Sequence, residues 1–236
     1  MKPFIRLIKL LLPVTAIFCA SCADDDSQNF LNHDSANDPV PESSETVEPT
    51  GPVWDEPLTD PRDGKTYKTV IIGDQTWMAE NLAYETENSF GYDDSVANRE
   101  KYGRLYTWEA AISACPNGWH LPEHDEIKFH FFRIIKGGQD SAGIALKATT
   151  DWDEDIRGTD IYGFSAYPTG IRDARGTIFM FQQALFWTST DSDSSGTKAF
   201  YMLLDNEADA SLYGSYYKTY GMSVRCVKGA PWKYTN

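Results

Sequence analysis

A single α+β domain of short helices and antiparallel strands is the fold class this sequence predicts, and three observations predict it. The runs Thr66–Ile72 and Gln75–Met78 are rich in strand-forming residues and are separated by Gly73-Asp74, the signature of a two-residue hairpin. The run from Pro122 to Lys136 carries helix signals at both ends and an apolar stripe between them. Beyond Gly143, turn residues punctuate short apolar runs without any repeat of about 20 to 50 residues, which argues against a solenoid or propeller.

The N-terminal segment reads as targeting rather than fold. Lys2, Arg6 and Lys9 precede the apolar stretch Leu10 to Phe18, and Ala20-Ser21 puts small residues before Cys22, so residues 1–21 have the three regions of a secretory signal. The apolar stretch is too short for a permanent membrane span. Cys19-Ala20-Ser21-Cys22 resembles a bacterial lipobox, with Cys19 where Leu is usual, and the resemblance implies a lipid such as palmitate on Cys22 that holds the protein to the membrane. Asp24-Asp25-Asp26 resembles the acidic run that directs some lipoproteins to the outer leaflet of the outer membrane; it reads equally as a solvated start to a linker. Residues 22–53 are rich in Asp, Glu, Ser and Pro and poor in large apolar residues, so they are expected to form a flexible acidic tether.

The domain is expected over residues 54–229, with 230–236 as a tail. Asp63-Gly64 marks a turn ahead of the hairpin. A short helix is predicted from Thr107 to Ala114, stopped by Pro116-Asn117-Gly118. The second helix starts at Pro122, has Glu123, Asp125 and Glu126 in its first turn, and ends at Lys136 before Gly137-Gly138. Ile127, Phe131, Ile134 and Ile135 fall on one face, which packs on the core. Short strands are expected at Phe164–Tyr167, Leu185–Thr188, Phe200–Leu204 and Met222–Val227, with loops between them.

Charge narrows the partners. The formal net charge is -14, and loss of the cationic leader makes the remainder more acidic still. Such a field repels phosphate backbones and anionic lipid headgroups, and no basic run offsets it, so neither nucleic acid nor a polyanionic glycan is expected as a partner.

Six blocks occur in order: Asp63-Gly64-Lys65-Thr66-Tyr67 running on to Gln75-Thr76-Trp77-Met78-Ala79-Glu80-Asn81-Leu82; Lys101-Tyr102-Gly103-Arg104-Leu105-Tyr106; Cys115-Pro116-Asn117-Gly118-Trp119-His120-Leu121-Pro122; Gly163-Phe164-Ser165-Ala166; Phe186-Trp187-Thr188-Ser189; and Ser223-Val224-Arg225-Cys226-Val227. Together they closely resemble the Fibrobacter succinogenes major paralogous domain. The resemblance implies a secreted or lipid-anchored domain, related to the C-type-lectin-like and formylglycine-generating-enzyme folds, and it brings no activity with it. Many relatives carry an extra cysteine pair before the Lys-Tyr-Gly-Arg block, whereas Phe90-Gly91-Tyr92 and Asn98-Arg99-Glu100 hold none here.

With Cys19 in the leader and Cys22 acylated, Cys115 and Cys226 remain, and an oxidising compartment favours their pairing over two buried thiols. The bridge would contribute about 4 to 5 kcal/mol by restricting the unfolded chain. His120 and His124 have metal-ligand spacing, but the helix starts between them, which favours structural roles. Asp151, Asp153 and Asp155 imitate the opening of a calcium loop, yet Ile156 stands where that loop needs Gly, leaving only an irregular site open. Gly163-Phe164-Ser165-Ala166-Tyr167 lacks the second Gly of a nucleophile elbow, and no phosphate-binding loop is present. No catalytic residue and no cofactor is assigned.

Aromatic residues make up 14% of the chain and supply the remaining functional signal. Trp152 lies among Asp151, Asp153, Glu154 and Asp155, which should hold it near solvent, while Tyr213, Tyr216 and Tyr217 flank Gly214-Ser215 in what reads as a loop. These four are the candidate ligand contacts, since Tyr with Ser and Gly forms contact surfaces at low entropic cost and flat rings suit sugar faces. The expectation is a non-catalytic surface module for a glycan or protein ligand, with a self-associating envelope protein as the alternative.

Overall fold

The structure, a computed structural model, describes residues 50–91, 95–173, 175–178, 182–206 and 211–233. The leader, Cys22 and the tether up to residue 49 lie outside the described residues, as do Tyr92–Asp94 and the end of the tail. The described residues belong to one compact unit, Val47–Asn236.

Its largest sheet has five strands in the order β1-β2-β3-β12-β6. The predicted hairpin is present, with β2 (Thr66–Ile72) and β3 (Gln75–Met78) paired antiparallel and Ile72 opposite Gln75 across the Gly73-Asp74 turn. The strand period of two divides their side chains between two apolar clusters. Val70, Ile72 and Trp77 enter the first; Tyr67 and Met78 enter the second. β1 (Val53–Thr59) pairs with β2 and begins one residue before the start expected for the domain. β6 (Trp119–His120) and β12 (Val227–Lys228) complete the sheet.

The helix expected from Pro122 to Lys136 is an uninterrupted helical run of three parts: α3 (His124–Glu126), a π-helical segment (Ile127–Phe131) and α4 (Phe132–Ile134). Glu123 closes its start as a capping box with Glu126. Ile127, Phe131, Phe132 and Ile135 are buried, as the apolar stripe requires, and Phe131 packs against Trp77 with ring centroids 4.4 Å apart. The helix expected from Thr107 to Ala114 is the shorter α2 (Trp108–Ile112), capped by Thr107, whose side chain accepts from the Ala110 N–H.

Two helices lack a sequence signal strong enough to foresee. α1 (Val96–Tyr102) ends at Gly103, where φ is 76° and an added Cβ would lie 2.8 Å from the Leu82 carbonyl oxygen. α5 (Gln139–Leu146) carries the chain past Gly143, where loops were expected.

The second half forms a three-stranded sheet in the order β11-β10-β9, from β9 (Ala184–Asp191), β10 (Lys198–Leu204) and β11 (Ser211–Tyr217), with two small hairpins beside it. These are β4 (Ser89–Gly91) with β5 (Arg104–Tyr106), and β7 (Ile171–Asp173) with β8 (Gly176–Ile178). The strand expected at Phe164–Tyr167 is reduced to a bridge between Ala166 and Lys147, and of Met222–Val227 only Val227 enters a named strand. Arg225 is the reason. Its buried guanidinium donates from Nη1 to the Met78 and Phe164 carbonyls, from Nη2 to the Ser165 carbonyl at 3.0 Å and from Nε to Asn81 Oδ1 at 2.7 Å. The carbonyls of the 164–165 segment are thereby taken up by a side chain instead of a neighbouring strand. Burial pushes the Arg225 pKa down to about 9, still well above neutrality.

The Cys115–Cys226 disulfide is present and joins the segment after α2 to the segment before β12. The Cys226 carbonyl also accepts from the Met78 N–H at 3.0 Å, which ties the bridge to β3.

Candidate ligand-binding groove

Three chain segments meet beside the β9–β11 sheet because their backbones hydrogen-bond to one another. The Trp108 N–H, at the start of α2, donates to the Lys218 carbonyl, and the Lys218 N–H donates to the Thr197 carbonyl, both at 3.0 Å. The Thr107 N–H donates to the Asn88 carbonyl at 3.1 Å, which brings the β4–β5 hairpin alongside. Arg172 of β7 exchanges two backbone bonds with Gly221, at 2.9 and 2.7 Å.

The result is a groove of about 710 Å³ whose lining includes Asn88, Phe90, Glu109, Tyr217 and Thr219. A second recess of about 300 Å³ shares Phe90 and Thr219 with it and adds Arg172, Asp173, Arg175 and Tyr220. The two lie side by side.

Phe90 and Tyr217 are the aromatic residues of the groove's lining, and further rings pack behind Tyr217. The Tyr217 ring is 52% exposed, with Lys198 Nζ 4.8 Å from its centroid on one side. Tyr220 stacks near Tyr217 and meets Tyr216 edge-on, with centroids 6.4 and 4.8 Å apart. Tyr216 in turn meets Tyr201 edge-on at 5.9 Å and packs against the second apolar cluster. Burial raises the Tyr216 and Tyr201 phenols, which stay protonated and able to donate at neutral pH. Lys218 is held in place by a short ion pair with Asp191 and by the Trp108 ring 3.8 Å away.

The candidate aromatics divide when placed in the fold. Tyr217 lines the groove, and both it and Tyr216 lie on β11 and not on a loop; strand alternation turns Tyr217 outward while Tyr216 leans toward the second apolar cluster. Tyr213 lies on the same strand opposite Met202. Trp152 was expected near solvent and is not there. It is 6% exposed, belongs to the first apolar cluster, and donates its indole N–H to the Ala166 carbonyl at 2.9 Å. Its acidic neighbours hold the backbone outside while the ring points in.

The other motifs find separate partners. His120 faces Glu126 and the Gly229 carbonyl, whereas His124 faces Asp125. Asp151 accepts from Lys101 Nζ at 2.6 Å and from the Tyr102 hydroxyl at 2.9 Å. No cluster of three or more His, Cys, Asp or Glu suited to a metal ion occurs among the described residues.

Phe90, Arg172 and Thr219 carry no sequence signal of their own. Phe90 lies in a short strand, Arg172 in another, and only folding brings them to the tyrosines.

Taken together, the architecture is that of a disulfide-closed α+β domain with several antiparallel sheets, short helices and an aromatic-lined groove. The chain belongs to the Fibrobacter succinogenes major domain family, which matches residues 70–228. No curated protein and no solved structure matches it.

Proposed function

We propose that this protein is a lipid-anchored, extracytoplasmic and surface-exposed module that binds a glycan on a lectin-like scaffold without transforming it. Exposed Tyr217 carries the reading: its ring is braced by Lys198 and Tyr220 at a groove large enough for several sugar units. A braced aromatic ring presents apolar area to a sugar face at little entropic cost. Asn88, Glu109 and Thr219 surround it with exposed polar groups suited to hydroxyls. Glycoside hydrolysis in its usual form needs two carboxyl groups across one bond, and the second acid of the groove, Asp173, is engaged by Arg175. The leader, Cys22 and the acidic tether support placement outside the cytoplasm on a lipid anchor.

A second reading, self-association as an envelope component, draws on Val53, Trp54 and Ile71, which are exposed on the adjacent strands β1 and β2. Probing an array of neutral and charged oligosaccharides with the purified protein and with Tyr217→Ala separates the two. Binding that falls about tenfold or more in the variant, at a nearly unchanged melting temperature, is the expected result. Absence of binding to every glycan, together with concentration-dependent oligomers that a Trp54→Ser change dissociates, would replace it with self-association.

A further inference from the structure

Arg172 is out of keeping with its surroundings. In a chain with 35 acidic and 21 basic residues, most groove-side cations are engaged: Lys218 by Asp191, and Arg175 by Asp173. Arg172 has no carboxylate partner among the described residues. Its guanidinium lies over the Phe90 ring, 4.1 Å from the centroid, and its one hydrogen bond is a 3.5 Å contact from Nη1 to the Asp173 carbonyl. Arg172 lines the recess that shares Phe90 and Thr219 with the tyrosine groove, and no hydrogen bond from its Nε or Nη2 occurs among the described residues.

Resting on the glycan reading above, we propose that the ligand is a glycan bearing a carboxylated sugar, with its carboxylate on Arg172 and a neighbouring sugar ring on Tyr217. A planar carboxylate matches two parallel N–H donors of a guanidinium, which a hydroxyl does not. Asp173 does not cancel this cation, because its Oδ1 accepts the Arg175 N–H at 2.7 Å and its Oδ2 lies 3.7 Å from Arg175 Nε. The overall charge of -14 sets the other limit. Its field disfavours a densely charged polymer, so the fitting ligand carries isolated carboxylates, as a uronate- or sialate-bearing oligosaccharide does.

The test uses the purified full chain on an array of such oligosaccharides, each beside its carboxyl-reduced neutral counterpart. The carboxylated member of at least one pair is expected to bind about tenfold or more tightly than its counterpart, the gain of a charge-assisted bidentate contact. Arg172→Gln is expected to erase that difference while keeping affinity for the neutral member, which shows that the groove is intact. Arg172→Lys is expected to restore part of it. Equal binding of both members of every pair by the unaltered protein would overturn the carboxylate assignment and leave the glycan reading standing. No binding to any member would overturn both, and an unchanged preference in Arg172→Gln would move the carboxylate away from Arg172.

Discussion

Trp152 shows how little a residue's neighbours in sequence say about its side chain. Four acidic residues flank it within three positions on either side, yet the ring is buried against the first apolar cluster, with Lys147 Nζ 5.0 Å from its centroid. A charged neighbour can turn outward from the same stretch of backbone, because successive side chains leave an irregular segment in different directions. Truncating this ring leaves a cavity in the first apolar cluster, while the Ala166 carbonyl keeps the Ala148 N–H at 3.0 Å, so Trp152→Ala is expected to cost about 3 to 5 kcal/mol in urea unfolding. A loss below about 1 kcal/mol would return Trp152 to the surface. Tyr217 is the opposite case, an aromatic whose removal should leave the core untouched. Arg225 makes the same point with a charge: a residue type that belongs outside is buried at the centre because three carbonyls and Asn81 receive its protons.

Elements that the sequence marks at both ends are the ones it foretells well. The hairpin at Gly73-Asp74 is local chemistry and the structure keeps it, while the two helix starts expected at Thr107 and Pro122 fall one and two residues later, at Trp108 and His124. β11 is different, since Gly214-Ser215 is a turn-like pair that pairing with β10 holds extended, with Gly214 opposite Tyr201. The junction of β6, β12 and the helix start also depends on contacts between elements. His120 Nδ1 lies 2.9 Å from the Gly229 carbonyl, and Nε2 lies 3.0 Å from Glu126, whose carboxylate also accepts from Gln75 Nε2 at 2.6 Å. With an oxygen at each ring nitrogen, imidazolium is the form that donates to both. Burial is the largest single influence and works against the charge, but the hydrogen bond and the charge of Glu126, with the Gly229 carbonyl and Glu123, together outweigh it, and the His120 pKa is raised above its ordinary value. A base whose folded pKa is raised stabilises fully below its unfolded value and loses that contribution as pH rises through the folded one. Unfolding midpoints should therefore decline from about pH 6 upward, and the decline should be shallower in His120→Gln. Parallel profiles would mean that this junction does not titrate.

At the scale of the molecule, the Cys115–Cys226 bridge closes a separation of 111 residues, and replacing both cysteines with Ala should cost about 4 to 5 kcal/mol on the chain-entropy account. The check is urea unfolding of the double variant against the oxidised protein; equal midpoints would show that the fold needs no bridge. The pairing was readable beforehand because only these two cysteines fall within residues 54–229. So were the α+β class, the first hairpin and the apolar face of the long helix, all of which rest on periodicities and turn chemistry spanning a few residues. The groove was not readable. Its lining comes from segments around Phe90, Glu109, Arg172, Thr197 and Tyr217, far apart in the chain, and no short-range pattern records which of them will meet. Tyr216 and Tyr217 could be singled out by composition, but Phe90 and Arg172 acquire their meaning only from the backbone bonds that dock the β4–β5 and β7–β8 hairpins beside β11. Burial divides the aromatics in the same way: which rings fill the two apolar clusters and which face the groove is decided by the close packing of distant elements, a property of the whole chain and of no segment within it.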